Sequence, residues 1–147
     1  MKVLLNRVVD YITIEYKASS NGFYFIDGDE EMNEEVYSDF MYISNRTLRL
    51  ERKQGFFDNE FFWEKNFSNG EFKSQFNKLC DMLLNLDDDM YSGLDGSSVE
   101  INIYFVGGDI RINRDVWGSF YHQKFDELVE ILLEIIPSDW VIPKFCQ

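Results

Sequence analysis

The clearest periodic signal lies in the second half of the chain, where Val99, Ile101, Ile103 and Phe105 alternate with Glu100, Asn102 and Tyr104 ahead of Gly107-Gly108. Period two ending in a glycine pair predicts a β-hairpin over about 99–114. With Gly107 and Gly108 as the loop, Val106 faces Asp109, Phe105 faces Ile110, Tyr104 faces Arg111 and Ile103 faces Ile112. Apolar then meets apolar on one face and polar meets polar on the other. A second hairpin is expected over about 11–27. Ile12, Ile14, Tyr16 and Ala18 alternate toward Asn21-Gly22, a pair suited to a type I′ turn, and Phe23 and Phe25 resume the same face. Upstream, Leu4, Leu5, Val8, Val9 and Ile12 fall at helical spacing, so the first ten residues lean toward a short helix running into the strand.

Met41 and Ile43, then Leu48 and Leu50 with Thr47, Arg49 and Glu51 interleaved, predict a strand between Phe40 and Arg52 that is broken or bulged near Ser44-Asn45. The aromatic segment Phe56 to Trp63 contains an Asp58-Asn59 pair suited to a turn, and its pattern fixes no single form. Two helices are better defined. Ser68 and Glu71 have capping-box spacing, and Phe72, Phe76, Leu79, Leu83 and Leu86 follow at helical intervals, giving a helix over about 70–86. Tyr121, Phe125, Leu128, Val129, Leu132 and Ile136 form the apolar stripe of a second helix over about 119–136, opposed by Asp126, Glu127, Glu130 and Glu134 and stopped by Pro137. Without repeats or a linker of biased composition, residues 1–147 are expected to form one α+β domain, an antiparallel sheet packed by two amphipathic helices.

Charge changes this picture from a fold to a class of partner. The formal net charge is −13 on 147 residues, while 45% of the chain is hydrophobic and 17% aromatic. Disorder requires low hydrophobicity alongside high charge, so this chain is expected to fold. A compact body of that charge repels nucleic acid and anionic membranes and attracts basic surfaces. The basic cluster Arg46, Arg49, Arg52 and Lys53 is diluted by Glu51 and reads as an exposed, charged strand face rather than a nucleic-acid site. No apolar run reaches the length of a signal peptide or membrane span, and Cys80 and Cys146 form neither a CxxC pair nor a disulfide framework. A cytoplasmic protein is expected. The sequons at Asn45 and Asn66 are read as chance.

No catalytic constellation emerges. His122 is the single histidine, Cys80 has no basic neighbour closer than Lys78, and its packing in a helix stripe is the better account. The runs from Asp27 and Asp87 lack the glycine and final glutamate of a calcium loop. There is no phosphate-cradling glycine motif. The expectation is therefore no enzyme, no cofactor and no resident metal.

What remains is clustered acidity. Asp27, Asp29, Glu30, Glu31, Glu34, Glu35 and Asp39 lie in one stretch without Lys or Arg, and Asp87, Asp88 and Asp89 form a second knot at the end of a predicted helix, against its dipole. Phe23, Tyr24, Phe25, Tyr37, Phe40 and Tyr42 flank the first run. Charges that steer and rings that anchor suit a protein interface, so these acids with Tyr37 are the expected partner-binding residues.

In general character the chain resembles the small acidic immunity proteins that bacteria carry beside secreted toxins, including those of contact-dependent inhibition systems. The features that carry the resemblance are the acidic run, the Asp87 to Asp89 knot and the aromatic Phe56 to Trp63 segment within one small domain. The resemblance implies binding to a cognate toxin domain, often a basic nuclease, whose active site or substrate groove is covered. Two other readings fit the same composition: a phage-type nucleic-acid mimic, and a small-ligand domain or enzyme with an aromatic pocket around Phe56 to Trp63.

Overall fold

The computed structural model describes residues 8–18, 36–55, 59–85, 98–108, 111–117 and 126–147. Strands β1 (Val9–Lys17), β2 (Val36–Ser44), β3 (Thr47–Gln54), β4 (Asn59–Asn66), β5 (Ser98–Phe105) and β6 (Arg111–Trp117) form one sheet in the order β4-β3-β2-β1-β5-β6. Every neighbouring pair is antiparallel. Helices α1 (Lys73–Leu84) and α2 (Asp126–Ile135) and a short 3₁₀ turn (Lys144–Cys146) complete the described elements. The α+β class expected from the pattern is the observed one.

Alternation decides which face is buried. Ile12 and Ile14 of β1, Met41 and Ile43 of β2, Leu48 and Leu50 of β3, and Val99, Ile101, Ile103 and Phe105 of β5 all point to one side. Phe76, Leu79 and Leu83 of α1, Leu128, Ile131, Leu132 and Ile135 of α2, and Phe145 join them in a single core. Each such side chain contributes about 1.5–3 kcal/mol by leaving water.

The β5–β6 hairpin has the expected register, Tyr104 opposite Arg111 and Ile103 opposite Ile112. Gly107 and Gly108 both adopt positive φ, which a side chain there would resist. The broken strand at Ser44-Asn45 is instead a hairpin between β2 and β3. Ser44 Oγ accepts from the backbone N–H groups of Arg46 (3.3 Å) and Thr47 (3.0 Å), which folds the chain back on itself. The expected 11–27 hairpin is represented only by β1. Its second arm lies outside the described residues, and from Tyr11 to Lys17 both edges of β1 are taken by β2 and β5, so β1 is a central strand. Val9 and Asp10 are also strand, against the helical reading of the first ten residues, of which 1–7 lie outside the description.

Helix α1 starts later than its capping signal. Glu71 Oε2 accepts from the Ser68 backbone N–H at 3.0 Å, half of a capping box, but Gly70 has φ +82° and the helix starts only at Lys73. At the other end Asn85 donates from its backbone to Asp81 O (3.2 Å) and from its side chain to the same oxygen (2.7 Å), closing the last turn. Of the second predicted helix, residues 119–125 lie outside the description and Asp126–Ile135 are helical.

Candidate interaction face

The described helices and the C-terminal turn contribute to the core on one side of the sheet. The other side carries the alternate residue of every strand. Register arranges these in rows across the strands. Asn113, Asn102, Thr13, Tyr42, Arg49 and Glu64 make one row. Glu100, Glu15, Phe40, Glu51 and Phe62 make the next. Hydrophobic alternation on the core side is what forces these polar and aromatic residues onto one common surface.

A tyrosine stack runs through this face. The rings of Tyr11 and Tyr104 lie 4.4 Å apart and those of Tyr11 and Tyr42 5.1 Å, both near parallel. The Arg49 guanidinium caps the stack 4.9 Å from the Tyr42 centroid and reaches Glu64 at 3.9 Å, while its Nε is buried without a hydrogen-bond partner. Burial, then the neighbouring Tyr104 and Tyr42 hydroxyls and Asp10, push the Tyr11 phenol above its ordinary pKa. Beside the stack, Glu100 Oε1 accepts from Asn102 Nδ2 (2.9 Å) and Asn113 Nδ2 (3.2 Å), and Asn113 Nδ2 also donates to Asn102 Oδ1 (2.7 Å). These contacts hold this part of the face in one arrangement.

Toward β4 the face opens into a groove of about 590 Å³ lined by Glu15, Ser38, Phe40, Glu51, Arg52, Lys53, Glu60, Phe61 and Phe62. Seven of the eight β4 residues are exposed, and Phe61 and Phe62 keep 43% and 58% of their surface in water. Only Trp63, opposite Leu50, packs partly against the core. The aromatic segment of undecided form is thus an edge strand from Asn59 onward.

Most of the residues expected to bind a partner fall outside the described part of the chain. Asp27, Asp29, Glu30, Glu31, Glu34, Glu35 and Asp87 to Asp89 lie outside the described residues, as does His122. Tyr37 is on β2. Asp39 is a correction. It is fully buried, receives Arg52 through Nε (2.7 Å) and Nη2 (2.9 Å), and accepts the Lys144 backbone N–H at 2.7 Å. Its carboxylate is consumed in tying the C-terminal segment to the sheet, and Arg52 Nη2 adds a bond to Ile142 O at 3.2 Å. The basic cluster is corrected with it: Arg49 and Lys53 are on the open face, but Arg52 is 8% exposed on the core side. Alternation of Asp39 with Met41 and Ile43, and of Arg52 with Leu48 and Leu50, was the signal for both.

Cys80 and Cys146 are free and buried. Burial pushes both thiols up to about 12, assisted by Asp81 and Asp39 respectively. Among the described residues no group of three or more His, Cys, Asp or Glu side chains is placed to hold a metal, and no helix is long and apolar enough to cross a membrane. No protein-family description matches the chain, and no curated protein matches it in sequence.

Proposed function

We propose that this chain is a protein-binding inhibitor of the immunity type, which uses the open sheet face to cover a basic surface of a toxin domain. The observation that supports this most is the composition of that face. Exposed Phe62 lies on the edge strand, and Glu15, Glu51 and Glu60 line the adjoining groove with Phe40 and Lys53. Aromatic anchors amid charge serve a protein interface, where rings supply buried area and carboxylates steer a basic partner. A net charge of −13 extends that steering to about a Debye length, roughly 8 Å at physiological salt.

The acids of the 27–35 stretch, which lie outside the described residues, are proposed to bind the same basic surface. The test is affinity capture from lysate of the source organism at about 50 mM and then about 300 mM salt, with native protein and two variants. One variant carries Asp29→Asn, Glu30→Gln, Glu31→Gln, Glu34→Gln and Glu35→Gln; the other carries Phe62→Ala with Glu51→Gln and Glu60→Gln. One basic protein retained by the native chain at both salts and weakened by the second variant is the expected result. A broad set of basic proteins that all wash off at the higher salt would contradict it.

A further inference from the structure

The edge of β4 and the groove beside it are separate observations that meet at Phe62. Strand β4 pairs with β3 over its whole length, Thr47 opposite Asn66 through Gln54 opposite Asn59, without a bulge. Among the described residues no strand pairs its other edge. Natural edges of this length are blunted by proline, a bulge, charged side chains or a covering element, because a row of unmet N–H and C=O groups recruits another strand. Here the edge has neither proline nor bulge, and it carries the rings Phe61, Phe62 and Trp63 beside the charged Glu60, Glu64 and Lys65. On the open face Phe62 lies between Glu60 and Glu64 along its own strand and opposite Glu51 on β3. Glu64 is shared with Arg49, but neither Glu51 nor Glu60 has an ion pair among the described residues.

The geometry points to β-strand addition: an extended segment of the basic partner pairs with the free edge of β4 and sets a lysine or arginine against Phe62, where its stem covers the ring and its charge meets Glu51 and Glu60. This rests on the protein-binding reading and specifies its mode. Charge selects the occupant. A second copy pairing through β4, with the helices of both copies on the same side, puts Glu60 against Glu64 when centred on Phe62. Centred on Trp63, it sets the two Glu64 side chains diagonally across from each other. Either register also joins two bodies of −13. A strand carrying cations at alternate positions meets carboxylates and a ring instead, with cation–π attraction of about 0.5–1 kcal/mol at an exposed site.

The probe is an acetylated, amidated peptide matched in length to β4 that alternates valine with arginine, compared with the same peptide carrying glutamate for arginine. Amide exchange and chemical shifts of the full chain are followed by NMR. The arginine peptide is expected to slow exchange at alternate amides of Asn59–Asn66, the glutamate peptide to leave them unchanged, and Glu51→Gln with Glu60→Gln to weaken the arginine peptide roughly fivefold or more. Exposed positions are chosen so that the variants fold. Unprotected β4 amides at saturating peptide would overturn strand addition, and equal binding of both peptides would overturn the role of the carboxylates. Concentration-dependent dimerisation through β4, seen by sedimentation without peptide, would assign the edge to a second copy and overturn the proposal. The two readings fail separately. Peptide protection at β4 with no basic protein retained from lysate would remove the inhibitor reading alone, while a retained partner that leaves β4 unprotected would remove strand addition alone.

Discussion

Asp39 and Arg52 face each other across β2 and β3 with two short bonds, and the same carboxylate holds the Lys144 backbone. Removing one partner leaves the other charge buried and unpaired, which costs about 3–5 kcal/mol, more than the pair itself is worth. Asp39→Asn and Arg52→Met should each lower the unfolding free energy from urea titration by an amount in that range, whereas replacing both with packed apolar residues should restore most of the loss. An Asp39→Asn protein as stable as the native one would place this carboxylate outside the fold's support. The cysteines give a second check at this scale. Their folded pKa of about 12 against an ordinary 9.0 means stability that is fully present below pH 9 and lost as pH rises through about 12, and the raised Tyr11 acts with the same sign. Unfolding free energy measured by urea should therefore fall on the alkaline side. Both thiols should resist a disulfide reagent in the native protein and react fully in denaturant. Sequence exposed part of this. Strand parity places Asp39 and Arg52 on the core side, but counting acids along the chain hides it, because a linear run of charge carries no information about faces.

At the scale of elements, the glycine pair and strict alternation around it made the β5–β6 register legible at Tyr104–Arg111 and Ile103–Ile112, while Asp109 and Ile110, the expected partners of Val106 and Phe105, lie outside the described residues. The link between β2 and β3 was harder to read, because Asn45-Arg46 lacks glycine and the turn depends on Ser44 Oγ bonding two backbone N–H groups. Ser44→Ala should cost about 0.5–1.5 kcal/mol in unfolding free energy, the net worth of such bonds. Gly70 shows why helix α1 begins after its capping signal. A Cβ there would meet no atom within 4 Å, so Gly70→Ala should cost only the backbone strain of φ +82°, about 1–2 kcal/mol, read as a lower urea midpoint with an unchanged slope. Strand β4 was the least legible element. Exposed on both faces except at Trp63, it has no alternation for a pattern to report.

At the scale of the whole molecule, the described residues divide their chemistry between two sides of one sheet. Helices and apolar alternates make the core, and the remaining alternates make a polar and aromatic face whose acid and ring content motivates the inhibitor reading. Association with a basic partner should therefore be faster at low salt and slow steeply as ions are added, with changes in the exposed carboxylates acting on the on-rate and changes in Phe62 on the off-rate. Stopped-flow mixing at several ionic strengths separates the two. Binding through the β4 edge is tested most directly by hydrogen–deuterium exchange of the chain alone and with a basic partner retained at the higher salt. Slowed exchange concentrated in Asn59–Asn66, with helices α1 and α2 unchanged, is expected. Protection confined to Lys73–Leu84 and Asp126–Ile135, with β4 exchanging as in the free protein, would contradict it.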